Sequence, residues 1–553
     1  MNPFLATDGY KTGHHLMYPK GTSLVYSNFT PRSDKHFPDS KGYIISFGQQ
    51  MIMRQIKGIF DAHFFGRNKE EVLNEIKSEY QMYLGSEYDI SHIARLHDLG
   101  YLPIHVKAIE EGSRVPIRVP VLTIYNTLPD FYWITNFLET LISNLLWKPI
   151  TSATIADAYR RNLLDWAKMT DIDNIGFVDF QGHDFSMRGL SGVDSVIQSG
   201  LGHATSFLGS DSLPVIYGAR KFYDEDGFVV GSVNATEHSV MCAGGASNGE
   251  EIETFRRLME TFPTGPLSVV SDTWDLWKVC TDYLPALKSE IMGRDGTLVI
   301  RPDSGDPVDI ICGKEFTTIS KTQWPTLDAA FQAQVAAMTF KNGGLDSEYT
   351  NFLYGDIYYE IYIDDTNDFR YRIIKTPEVK GVIELLWETF GGTTNEQGYK
   401  VLDSHIGAIY GDSITLARAQ QICSRLESKG FASTNVVLGI GSFTYQHNTR
   451  DTLGMAMKAT YVEIKEVKPL VSGNTKTTLH QREIFKDPVT DDGVKKSAKG
   501  LLHVHRNAST GDLELTDQVN WLMEAQGELQ TIFVDGNFRN ITNLASVRKL
   551  VRE

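Results

Sequence analysis

Apolar and polar positions alternate in two different rhythms along this chain. In the first 150 residues, Ser23–Asn28 and Gly42–Ser46 are short runs that predict strands. Phe131–Leu146 repeats its apolar positions at intervals of three and four, which predicts one buried face of a helix. From about residue 175 short apolar runs alternate with helical patterns. Ile175–Phe180, Thr205–Leu208, Phe228–Ser232, Leu267–Val270, Thr297–Ile300, Ile406–Tyr410 and Val436–Leu438 predict strands. Ser191-Gly192-Val193-Asp194 predicts a capping box opening a helix. Asp272 before Thr273–Leu287 and Asp412 before Ser413–Lys429 predict two more helix starts. Such strand–helix alternation predicts a parallel sheet with crossover helices. Six or seven units predict a barrel-like closure rather than an open sheet. Ile311–Ser404 interrupts the rhythm and reads as a long insertion with its own helices, including a solvated acidic turn at Asp364–Asp368. After about residue 460 short strands and polar turns return.

Composition narrows the function classes. The 553 residues allow two or three domains, and the net charge is −16. A chain this acidic is not expected to bind nucleic acid through a broad basic surface, so an anionic substrate needs a local basic pocket. No window approaches the roughly 18 apolar residues of a membrane span. Met1–Tyr10 lacks the basic and apolar regions of a secretory signal. The four cysteines lie far apart without a Cys-x-x-Cys pair, which indicates free thiols and a soluble cytoplasmic protein.

The candidate chemistry sits where predicted strands end, because in parallel α/β folds those loops gather on one face. Thr297–Asp306 is the most informative stretch. An apolar run stops, and Arg301 and Asp303 follow on either side of Pro302, with Gly305 allowing a sharp exit. The pair suits a substrate carrying phosphate, metal and ribose together, and it equally describes a β-turn with a surface ion pair. Other strand ends carry Phe185, Arg188, Asp211, His238, Ser271, Asp272, Asp275, Gly411, Asp412, Gly439 and Gly441. Singly, Asp272 and Asp412 read most simply as N-caps, His238 as a core or capping histidine, and the glycine pair as a turn. Together on one face they suggest a site. A second, basic constellation comprises Arg450, Lys458, Lys486 and Lys495, suited to phosphates in an otherwise acidic chain. A Gly-x-x-x-x-Gly-Lys-Ser/Thr loop is absent. So is the acidic strand end with a Thr/Ser-Gly-x-Thr loop that marks one phosphoribosyltransferase class.

Ordered blocks carry a resemblance. They are Ala6–Lys11, His183–Gly189, Gly209-Ser210-Asp211, Thr236–Ser239, Val270–Asp275, Arg301–Gly305, Gly411-Asp412, Thr449-Arg450-Asp451 and Phe485–Pro488. In this order and spacing the chain resembles the nicotinate/nicotinamide phosphoribosyltransferase family nearly end to end, most weakly in Ile311–Ser404. The resemblance implies the α/β fold of a type II phosphoribosyltransferase: an irregular α/β barrel with a second, mixed α+β domain built from both chain ends. That divides the chain at about 1–150, 151–450 with the 311–404 insertion, and 451–553. It implies a homodimer with shared active sites that joins nicotinamide to 5-phosphoribosyl-1-pyrophosphate (PRPP), with Mg2+ required and ATP phosphorylating an active-site histidine. Nicotinate is the alternative acceptor.

Carried over residue by residue, the resemblance implies that Phe185 and the partner subunit's Tyr10 stack on the pyridine ring. Asp211 accepts from the carboxamide, and Arg301 meets pyrophosphate and the pyridine edge. Asp303 meets ribose and, with Asp275, magnesium. Arg188 holds pyrophosphate. Gly411, Asp412, Ser271 and Asp275 lie at the ribose, and Gly441 and Ser442 at the 5′-phosphate. Arg450 and Lys458 bind that phosphate from across the dimer, and Lys486 and Lys495 hold ATP phosphates. His238 is the phosphorylated residue, with Glu237 as a possible orienting group. Departures are Ser442, where animal members have glycine, Ala456 in place of a serine, and the insertion.

Overall fold

The computed structural model describes residues 1–245, 249–338, 340–341, 344–345, 351–411, 413–469, 475–486 and 497–553. Seven parallel strands form one half of the molecule: β1 (Gly182–Asp184), β2 (Gly209–Ser210), β3 (Asn234–Ala235), β4 (Leu267–Val270), β5 (Leu298–Arg301), β6 (Ile406–Tyr410) and β7 (Val436–Ile440). Their order is β2-β1-β7-β6-β5-β4-β3. The two ends meet: Gly231, just upstream of β3, bridges Gly209 in parallel, with Ser210 donating to Gly231 and Gly231 to Leu208. The sheet is therefore an irregular closed barrel. Strands covered on both faces are rich in apolar residues, as in the fully buried Leu-Ser-Val-Val of β4.

Three strand expectations shift. Ile175–Phe180 is helical, within turns at Ile172–Phe177 and Val178–Gln181, and the strand follows as Gly182–Asp184. Thr205–Leu208 is the exit of the helix Val193–Ala204, and Phe228–Ser232 gives way to Asn234–Ala235. These barrel strands are two or three residues long, so apolar runs beside them give the louder signal. The Ser191 capping box does not form: Gly192 stands at the N-cap with no side-chain bond. Thr415 caps the helix Leu416–Ser428, which starts later than expected.

A second sheet takes strands from both chain ends. Thr22–Thr30 lies between Ala456–Pro469 and Leu122–Asn126, and Ile104–Ala108 then pairs with Gln530–Val534. One helix, Trp133–Thr170, joins the two halves. Its 38 residues span about 57 Å. Its first part packs into the core of the mixed domain, and Ile155, Tyr159 and Leu163 pack into the barrel core. Pro149 lies inside this helix. An interior proline costs about 3 kcal/mol, which burial of both flanking halves offsets. The apolar recurrence in the sequence marks only the helix's first part, Phe131–Leu146. The C-terminal helix Leu544–Arg552 also ties the halves, through Arg548 donating to the carbonyls of Ala204 and Val229, two residues before the closing Gly231.

The insertion carries a sheet as well as helices. Thr317–Ile319, Asn351–Tyr354, Ile357–Ile363 and Phe369–Ile373 form four strands, and the helix Leu327–Ala337 packs on them through Phe331 and Ala330. The acidic turn links the last two strands, with Asp364 accepting from the backbone of Thr366 and Asp368.

The N-terminal segment that presents Tyr10 is anchored by histidines. His15 and His92 stack at 3.7 Å, His92 meets Trp133 edge-on, and Tyr88 and Tyr132 donate to the carbonyls of Thr12 and His15. Burial, then the neighbouring His15, pushes His92 down to about 3, against the pull of Asp89; burial lowers His15 too. A histidine kept neutral in the fold binds its proton better in the unfolded chain. Its contribution is complete above about pH 6.5 and falls by about 1.4 kcal/mol per pH unit toward the folded value. We expect Tm to drop between pH 7 and pH 5, and His92→Phe to shrink that drop. Parallel drops in both proteins, followed by thermal unfolding, would contradict this.

Candidate active site at the barrel mouth

The Arg301–Gly305 turn is held from both neighbouring strands. Asp272, after β4, accepts the backbone N–H of Asp303 (2.9 Å) and Ser304 (2.7 Å) through Oδ2. After β6, Tyr410 donates to the carbonyl of Gly305, and Gly411 donates to that of Pro302. Gly411 is glycine for a steric reason: a Cβ there would lie 2.5 Å from Asp303 Oδ1. Gly305 has φ +95°, open to glycine. The turn is thus a fixed platform, and Asp272 serves it rather than capping a helix. The helix cap is Asp275, whose Oδ1 accepts from Trp277 and Lys278. Ser271 is buried, its Oγ donating to Val269 and its N–H to Arg301.

Inside the barrel lies a cavity of about 770 Å³, whose wall includes Phe185, Asp211, Ser232 and Arg301. Phe185 follows β1 and its N–H donates to Ile440. The Nε of Arg301 is buried and has no hydrogen-bond partner among the described residues. Asp211 Oδ1 accepts from His183 Nε2 at 2.8 Å and from Ser232 Oγ. Burial alone would raise this carboxyl; the bonds from His183 and Ser232 and the charges of His183 and Arg301 outweigh it and hold it below the usual range.

His238 opens a short helix at the rim. Its Nδ1 hydrogen-bonds Thr273 Oγ1 at 3.1 Å, and its Nε2 faces Asp303 Oδ2 at 3.7 Å and Asp272 Oδ1 at 3.9 Å. Glu237 does not orient the ring here. Its extended backbone sends the carboxylate to Arg188 and Ser239. Arg188, paired with Glu237, is itself 91% exposed. Beneath the rim, burial and then the charges of Asp275 and Asp272 push Glu251 up to about 7. Gly441 precedes the helix Ser442–Gln446, and Ser442 packs so closely on Gly189 that a Cβ there would meet its Oγ at 2.2 Å. Asp412 and Lys495 lie outside the described residues.

The basic residues gather elsewhere. Arg450, Lys458 and Lys486 share a pocket of about 190 Å³ on the mixed domain with Arg32 and Glu139. Burial, then the cations Arg32, Arg450 and Lys11, lower Lys458 against the pull of Glu139. Tyr10, 65% exposed, lies near enough to Glu139 and Arg450 to feel both charges. The predicted residues therefore form two groups on two domains. Sequence reasoning missed His183, Ser232, Asp272 as the turn holder, Thr273 and Arg32. His183 stood in a quoted block, but nothing in the sequence pairs it with Asp211.

Among the described residues no group of three or more His, Cys, Asp or Glu side chains is arranged to cage a metal. Magnesium does not need such a cage, since it keeps several waters and binds one or two carboxylates plus substrate phosphates. Asp303, whose carboxylate accepts no hydrogen bond within the described residues, suits that role. Asp275 has one oxygen committed to its cap.

A model of the nicotinate phosphoribosyltransferase (NAPRTase) family matches residues 180–521. The chain is 43% identical over 563 residues to the nicotinamide phosphoribosyltransferase of Acinetobacter baylyi, covering 99% of this chain and 97% of that one. It is 31% identical over 499 residues to the nicotinamide phosphoribosyltransferase of Mycoplasma pneumoniae, covering 88% and 92%. The crystal structure of human nicotinic acid phosphoribosyltransferase aligns over 99% of this chain and 94% of that one, at a TM-score of 0.47 and 15% identity.

Proposed function

The chain belongs to the nicotinate phosphoribosyltransferase family, and from that premise we propose that it joins nicotinamide to PRPP, giving nicotinamide mononucleotide and pyrophosphate in NAD salvage. The observation that carries the choice of acceptor is the ionised Asp211 on the cavity wall. An ionised carboxylate only accepts hydrogen bonds, so it welcomes a carboxamide N–H and repels the carboxylate of nicotinate. The names of the relatives from Acinetobacter and Mycoplasma support the same acceptor.

In this reading the pyridine ring lies in the cavity against Phe185, with Tyr10 of the partner subunit on its other face. The ring nitrogen forms its bond to the anomeric carbon of PRPP as the bond from that carbon to pyrophosphate breaks. No proton need move. The chain's task is positioning and charge stabilisation of an oxocarbenium-like transition state. Arg301 and Arg188 hold the leaving pyrophosphate, and Asp303 faces the ribose. Gly411 and Asp412 meet the ribose hydroxyls, and Gly441 and Ser442 the 5′-phosphate. Asp303 would hold magnesium, which would supply neutralisation of the leaving group's charge. Arg450 and Lys458 reach the phosphate from the other subunit of a homodimer. ATP, held by Lys486 and Lys495, would transfer its γ-phosphoryl group to a ring nitrogen of His238 and leave as ADP, and loss of that phosphoryl group to water would drive the synthesis forward. We place the reaction in the cytoplasm, where cysteines such as the exposed Cys242 stay reduced.

Asp211→Asn tests the acceptor. Loss of a charge-assisted hydrogen bond and of the repulsion should lower kcat/KM for nicotinamide by about tenfold or more and raise it for nicotinate. Steady-state kinetics with each acceptor reads both. An unchanged ratio would remove Asp211 from the reading.

A further inference from the structure

We propose that His183 is the positioning residue that sets acceptor specificity, by fixing which oxygen of Asp211 faces the substrate. The inference rests on nicotinamide being the acceptor. His183 lies at the centre of β1, buried, and its Nε2 stands 2.8 Å from Asp211 Oδ1. Ser232 donates to that same oxygen from the segment that closes the barrel. Two donors therefore converge on Oδ1, while Oδ2 carries no hydrogen bond among the described residues. The carboxylate is divided into an anchored oxygen and an offered one.

The ring has little freedom to do otherwise. A carboxylate cannot donate, so the bond requires the proton on Nε2 of His183. On the other side, a Cβ on Gly209 would lie 2.7 Å from Nδ1, so the backbone closes tightly against that edge of the ring. The backbone of Asp211 is fixed too, its N–H donating to the carbonyl of Asp184. Hence the side chain's own rotation is what the two donors lock. The His183 ring also packs on Phe185, with centroids 4.6 Å apart. One imidazole therefore supports both groups assigned to the pyridine: the aromatic face and the carboxylate. Removing it frees Asp211 to turn, and it weakens the hold on the ionised form that rejects a second carboxylate.

The experiment compares native protein, His183→Leu and His183→Gln, measuring kcat/KM for nicotinamide and for nicotinate, with KM for PRPP as the check that the rest of the site is intact. The amide nitrogen of Gln reaches about where Nε2 does and can donate to the same oxygen. We expect His183→Leu to reduce the nicotinamide-to-nicotinate ratio by about tenfold, mainly through KM for nicotinamide with KM for PRPP little changed, and His183→Gln to recover most of it. If His183→Leu does not fold, Ser232→Ala removes the other donor and should lower the ratio in the same direction. A native ratio in His183→Leu, or in Ser232→Ala where that variant stands in, overturns the inference and leaves the proposed function standing. Equal losses in the Leu and Gln variants also overturn it. A native protein that prefers nicotinate overturns the acceptor reading itself, and this inference with it.

Discussion

Asp303→Asn is expected to lower kcat for nucleotide synthesis by about 10²–10³-fold, the scale of removing one preorganised charge from a developing transition state. The change is nearly isosteric. Among the described residues Asp303's carboxylate accepts no hydrogen bond; the Nε2 of His238 stands 3.7 Å from it. Its backbone N–H, by contrast, is held by Asp272. The platform should therefore survive while the charge is lost, and Tm should move by no more than a few degrees. Kinetics and thermal unfolding on the same preparation separate the two effects. Activity within about fivefold of native would mean that Asp303 does not face the reacting centre.

Mixing two inactive variants is expected to restore activity. Arg301→Ala removes a barrel-mouth cation, and Arg450→Ala removes one from the basic pocket of the mixed domain. The two sit in separate groups, and Tyr10 near the second group is largely exposed. If each active site takes its mouth from one chain and its basic pocket from the other, a mixed dimer holds one intact site and one doubly damaged site. Random reassortment should then recover about a quarter of native activity, from two preparations each lowered by about tenfold or more. Activity no higher than the average of the two parents would place both groups in the same chain's site. Size determination of the mixed sample accompanies the assay.

How far the sequence led depends on which physical signal each feature leaves. Strands set in the barrel wall, such as Leu298–Arg301 and Val436–Ile440, leave an apolar run, and the residues after them were legible as a gathered face. Gly182–Asp184 left none. Its His183 and Asp184 serve polar contacts to Asp211, Ser186 and Ser210, so the neighbouring helical turn was read as the strand. Asp272 has the chemistry of a helix cap, and local pattern cannot reveal that its carboxylate reaches across to the next strand's turn. The basic pocket was legible as composition, since cations are conspicuous in a chain of net charge −16. Arg32 stayed hidden because it joins Arg450 from more than 400 residues away. The helix Trp133–Thr170 runs past the periodic stretch Phe131–Leu146 because, beyond Leu146, it is buried on nearly every side and leaves no single apolar stripe to read.

The proposed activity is the building of a nucleotide on nicotinamide in this barrel. The direct measurement is to incubate the native protein with PRPP, Mg2+ and equal nicotinamide and nicotinate, with and without ATP, and to separate the products by chromatography. Nicotinamide mononucleotide should dominate, with its yield raised by ATP; a predominance of nicotinate mononucleotide would contradict the claim.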